Sequence, residues 1–79
     1  MNETIKILAF GKITDITGAV SFLFPHCPNT DIFKEKLFQK YPELKTLSFA
    51  LAVNKQMVTS KTEIQPNDEI VLLPPSSGG

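Results

Sequence analysis

Arginine is absent from this 79-residue chain, and cysteine and histidine occur once each. Each scarcity removes a class of function. Eight lysines balance eight acidic residues, so the chain carries no net charge. A neutral surface without arginine is poorly suited to nucleic acid, where phosphate contacts need a basic patch and base edges favour the guanidinium fork. No wholly apolar run comes near the ~20 residues that span a bilayer, so no membrane association is expected. Met1 to Phe10 lacks the basic start, apolar stretch and small-residue cleavage site of a signal peptide. Cys27 alone makes no internal disulfide, and the expected location is therefore cytoplasmic.

What is present describes one small globular domain. Hydrophobic residues make up 42% and charged residues 20%, outside the disordered and fibrous classes. A domain this small buries only about 60–65% of its unfolded surface, which supports one core and no large substrate cavity. Residues 5–10 read as a strand with Ile5, Ile7 and Ala9 on one face and Leu8 and Phe10 on the other, a pattern of a central strand. Gly11 and Gly18 bracket a loop or single helical turn. Residues 20–24 alternate Val20, Phe22 and Phe24 against Ser21 and Leu23, giving a second strand ended by Pro25.

Asn29 or Thr30 caps the next element, with Asp31 in its first turn. Phe33, Leu37 and Tyr41 recur at helical spacing, widened by Ile32 and Phe38, while Lys34, Glu35, Lys36, Gln39 and Lys40 take the other side. This amphipathic helix lays one face on a sheet and stops before Pro42. Residues 49–53 form a third strand, Asn54-Lys55 a tight turn into Gln56-Met57-Val58, and Pro66-Asn67-Asp68 a turn into the last strand, residues 69–73. The order β-β-α-β-β-β, with doubly apolar strands at both chain ends, suits parallel central neighbours. The expected fold class is α+β: a β-grasp, or ubiquitin-like, mixed sheet of about five strands under one main helix. Residues 1–75 form the domain and residues 76–79 a flexible tail.

The chain offers little for catalysis on its own. His26 beside Cys27 is no zinc site, which needs three or four ligands, and sequence neighbours in a loop do not form a nucleophile–base pair. Asp68 and Glu69 are aimed apart by strand alternation. No metal or bound cofactor is expected. The unusual feature is the ending, Pro74-Pro75-Ser76-Ser77-Gly78-Gly79. Paired prolines favour an extended chain and project the last four residues away from the body. Residues 76–79 reach roughly 13 Å further, and Gly78 and Gly79 present no side chain to a narrow channel. At ~7% glycine usage, two terminal glycines arise by chance in roughly one chain in two hundred. The Gly79 α-carboxylate is the one group that can do chemistry, once activated as an acyl-adenylate and captured by sulfide or by an amine.

The run Asp68-Glu69-Ile70-Val71-Leu72-Leu73-Pro74-Pro75-Ser76-Ser77-Gly78-Gly79 resembles the C-terminus of the small-subunit family of molybdopterin synthase, the MoaD type of sulfur carrier in the ThiS/MoaD family. Ile5-Lys6-Ile7-Leu8-Ala9-Phe10, Gly18 and Ala52-Val53-Asn54 extend the likeness along the chain. The resemblance implies that an E1-like enzyme adenylates the terminal glycine with ATP. A sulfur donor then makes the thiocarboxylate, and the large synthase subunit accepts the tail and passes sulfur to a cyclic pterin precursor, within a heterotetramer. Carried over, Gly79 bears the sulfur, while Leu73, Pro74, Pro75, Ser76, Ser77 and Gly78 lie against the partner. An outward apolar Leu73 fits docking; the alternative is that it covers a sheet edge beside the helix. Two positions depart from the family: Asn67 stands where Gly is frequent, and Thr14 where Arg is common, with Lys12 a possible substitute.

Three other readings remain open on the sequence. A carrier supplying thiazole sulfur in thiamine synthesis also ends in Gly-Gly, but usually without paired prolines. A ubiquitin- or Urm-type modifier would end on a lysine of another protein. A plain ubiquitin-fold interaction module would have an idle tail.

Overall fold

The computed structural model describes residues 3–74. The expected tail, residues 76–79, lies outside them, as does Pro75. Strand β1, Thr4–Ala9, is followed by helix α1, Lys12–Thr17, and strand β2, Ser21–Pro25. Helix α2, Thr30–Lys40, leads through a 3₁₀ turn, Pro42–Thr46, into β3 (Ala50–Val53), β4 (Gln56–Val58) and β5 (Glu69–Leu73). The five strands form one mixed sheet in the order β2-β1-β5-β3-β4. Strands β1 and β5 pair in parallel at its centre, with Ile7 opposite Ile70 and Ala9 opposite Leu72. The chain's two ends thus meet in the middle of the sheet, as the apolar patterns of both strands require.

Helix α2 starts where Asn29 accepts the Ile32 N–H on its side-chain oxygen at 2.9 Å, satisfying one of the free donors of the first turn. It ends before Pro42, with the Tyr41 N–H still bonded to the Leu37 carbonyl at 2.8 Å. Phe33 and Leu37 are fully buried against Ile5, Ile7, Ile70 and Leu72. Edge-on aromatic pairs join helix to sheet: Phe24 with Phe33 at 5.4 Å and Phe22 with Tyr41 at 6.0 Å between ring centroids. Such pairs add about 0.5–1.5 kcal/mol beyond the area they bury.

Of the loop or single helical turn expected between Gly11 and Gly18, the structure has the helical form, six residues long, with Ile13 fully buried. The 3₁₀ turn after Pro42, with Leu44 fully buried, had no periodic signal because five residues are too short to show one. Pro25 is the last residue of β2, where the strand was expected to end. As β2 is an edge strand, the missing N–H leaves no ladder bond unmade.

The apolar residues on both sides of β1 fit its central place in the sheet, as expected. Among the described residues, a helical layer covers one side of that sheet only. On the opposite face Leu8 and Val71 are half-buried, and Phe10, Leu23 and Met57 are 48%, 67% and 59% exposed.

Candidate functional site

Strand β5 carries the chain to the root of the tail, and its register fixes which side chains lead there. Ile70 and Leu72 are fully buried under α2, so Val71 and Leu73 face the other way and are half-buried. Leu73 is the last residue of the strand and pairs with Ala50 of β3. Because β5 lies between β1 and β3, Leu73 covers no sheet edge. It belongs instead to the uncovered face, beside Phe10, Leu8 and Val71. The register places Lys6, Ser21 and Glu69 on the same face, so apolar side chains there sit beside polar ones, a mixture found at protein–protein interfaces. Phe10, Leu8, Val71, Met57 and Leu23 are candidate docking residues that the sequence reading did not single out. Their alternation was visible, but it does not say which face a helix covers.

Pro74 follows directly and is the last described residue. It rests on the turn at Gly11: a Cβ built on Gly11 would stand 3.2 Å from the Pro74 Cγ. Pro75, Ser76, Ser77, Gly78 and Gly79, all expected to take part in binding or transfer, lie outside the described residues.

The start of β5 is held by a polar network. Asn67 adopts φ +70° and Asn54 φ +51°, left-handed conformations that asparagine tolerates better than most residues. The Asp68 carboxylate accepts from the Gln65 N–H at 2.8 Å and the Asn54 amide at 3.0 Å. The Asn54 side-chain oxygen accepts the Glu69 N–H at 3.0 Å. Asp68 is thus committed to holding the turn. Asn67 does the work of the glycine frequent in the family.

Thr14, standing where arginine is common, turns inward to its own loop and donates its hydroxyl to the Gly11 carbonyl at 2.7 Å. Lys12 is exposed on the same helix.

His26 and Cys27 are structural. The His26 Nε2–H donates to the Ile64 carbonyl at 2.7 Å, tying the loop after β2 to the segment before β5. Cys27 is fully buried, with its thiol directed at the Pro25 carbonyl at 3.5 Å. Burial pushes the thiol above its ordinary pKa, opposed by the lesser effect of the Lys36 charge. A buried thiol with a raised pKa is unreactive. Among the described residues, no group of three or more His, Cys, Asp or Glu side chains is placed to hold a metal, and no helix is long and apolar enough to cross a membrane.

Comparison with solved structures defines the class. The chain superposes on the solution structure of small archaeal modifier protein 1 from Methanosarcina acetivorans with a TM-score of 0.81 at 21% identity, covering 100% of this chain and 99% of that one. For the putative molybdopterin converting factor subunit 1 from Pyrococcus furiosus the TM-score is 0.82 at 16% identity, over 94% and 99% of the two chains. At these identities the likeness speaks for the fold alone, and the fold is a ubiquitin-like β-grasp.

The sequence comparisons are more specific. The ThiS family pattern matches residues 7–79. The molybdopterin synthase sulfur carrier subunit of Arabidopsis thaliana is 30% identical over 79 residues, covering 95% of this chain and 82% of that protein. The protein of the same name from Dictyostelium discoideum is 34% identical over 87 residues and the full length of both. The chain belongs to the ThiS family and is of the MoaD type.

Proposed function

We propose that this chain is the sulfur carrier subunit of a molybdopterin synthase, with the Gly79 carboxylate as the carrier group. The supporting observation is the placement of the tail root. Strand β5 runs through the centre of the sheet and ends at Leu73 on its uncovered face, so one partner can hold that face and receive residues 75–79. An E1-like enzyme first couples the carboxylate to ATP, giving the acyl-adenylate and pyrophosphate. Sulfide-level sulfur from a donor then forms a C–S bond as the C–O bond to AMP breaks, leaving the thiocarboxylate and AMP. Docked on the large synthase subunit in a heterotetramer, the tail delivers that sulfur to a cyclic pterin precursor, and water restores the carboxylate. The carrier contributes reach and a docking face; acid–base groups belong to its partners.

The test is reconstitution. The charged protein, mixed with a large synthase subunit and the cyclic pterin precursor, should yield a dithiolene product in proportion to the thiocarboxylate consumed. Transfer of the C-terminus to lysines of other proteins, with no dithiolene formed, would replace this reading by that of a protein modifier.

A further inference from the structure

The contact between Gly11 and Pro74 joins two rigid pieces at the point where the tail begins. Strands β1 and β5 run in parallel as far as Ala9 opposite Leu72, so two residues further on each strand Gly11 and Pro74 come together. Gly11 has φ 60° and ψ −139°, a combination that L side chains rarely adopt. Its carbonyl accepts two hydrogen bonds from Thr14, one from the backbone N–H at 3.1 Å and one from the hydroxyl at 2.7 Å. The Ile13 N–H donates to the Phe10 carbonyl at 3.2 Å, and the Ile13 side chain is fully buried. The turn is therefore anchored in the core and locked by Thr14. Opposite it, the Pro74 ring fixes its own φ near −65°.

Close packing here concerns the tail root alone. A Cβ at Gly11 would meet the Pro74 ring at 3.2 and 3.4 Å, whereas a Cβ at Gly18, the other positive-φ glycine, would meet nothing within 4 Å. We infer that Gly11, locked by Thr14, is a positioning residue for sulfur transfer: it seats the Pro74 ring and so sets the direction in which residues 75–79 leave the sheet. The inference rests on the reading of Gly79 as the carrier group. Five residues span at most roughly 17 Å, so the point and direction of departure from the sheet bound where the tip can be delivered. Reaction geometry tolerates displacements of only about 1 Å.

A double-mutant cycle separates this role from backbone strain. Gly11→Ala brings the same positive-φ strain with or without the Pro74 ring, but meets the ring only when Pro74 is present. The four proteins (wild type, Gly11→Ala, Pro74→Gly and the double variant) are charged and compared in steady-state sulfur delivery to a large synthase subunit, alongside thermal melts. The expected result is at least a tenfold fall in kcat for Gly11→Ala beside Pro74, with KM little changed because the docking face is intact, and a much smaller fall in the Pro74→Gly background. An equal loss in both backgrounds, or no loss in either, overturns the inference.

Thr14→Val keeps the glycine and removes only the locking hydroxyl. It should lower kcat several-fold without moving KM, and it provides the decision if Gly11→Ala does not fold; an unchanged kcat would overturn the inference. A wild-type protein that accepts no sulfur under these conditions would instead defeat the carrier reading itself.

Discussion

Leu8 and Val71 lie opposite one another across the parallel β1–β5 pair, on the sheet face that α2 does not cover. Both belong to central strands, and on that face Phe10 and Leu73 lie toward the tail root. In the proposed carrier role, this face would be held by the partner while the tail reaches into it.

Phe10, 48% exposed, offers the cleanest test of that surface. Phe10→Ser should change folding stability by less than about 1 kcal/mol, while weakening binding to a large synthase subunit about tenfold or more, as loss of an interface aromatic does. Chemical denaturation and calorimetric titration measure the two effects separately. An unaffected binding constant would exclude this face from the interface.

Removing Gly78 and Gly79 should leave the melting transition and the NMR spectrum of residues 3–74 as in the full chain, and abolish charging. Retained function in the shortened chain would mean that the tail is idle and the protein an interaction module.

Cys27 is expected to take no part in the sulfur chemistry. Cys27→Ser should be charged as well as the wild type, and the native thiol should resist alkylation until the protein is unfolded. The raised thiol pKa also gives a pH signature. Below the ordinary thiol value of about 8.5, both folded and unfolded states hold the proton and the full stability is present. As pH rises through that value the unfolded state ionises first, so stability falls. Denaturant midpoints at neutral and alkaline pH should show a steeper fall for the wild type than for Cys27→Ala.

The β3–β4 hairpin turns on Asn54 and Lys55, with φ +51° and +73°. The pair matches a type I′ turn, whose second central position favours glycine. Lys55→Gly should raise stability by about 0.5–1 kcal/mol, measurable in a denaturant titration. A destabilised variant would show that the lysine makes a compensating contact.

The sequence carried the helix, the strands and the parallel centre, because Phe33, Leu37 and Tyr41 repeat at helical spacing and residues 5–10 and 69–73 are apolar on both faces. Asn29, Asn54-Lys55 and Asn67 each announced a cap or turn through the conformations asparagine favours. Two things were not legible. Short elements such as the 3₁₀ turn around Leu44 have no period to detect. The exposure of Leu8, Phe10 and Met57 depends on which face α2 covers, and alternation is symmetric between faces. Leu73 was placed correctly because the strand's two buried neighbours, Ile70 and Leu72, left it only one direction. Gly11 looked like a loop boundary, and only the three-dimensional meeting of the two strand ends shows what it supports.

The most direct test of the carrier reading is the intact mass of the untagged protein after incubation with an E1-like enzyme, ATP and a sulfur donor. A thiocarboxylate carrier should gain the mass of one sulfur exchanged for one oxygen, dependent on ATP and lost when Gly79 is removed. An unchanged mass, with an enzyme shown to be active on another carrier, would contradict that reading.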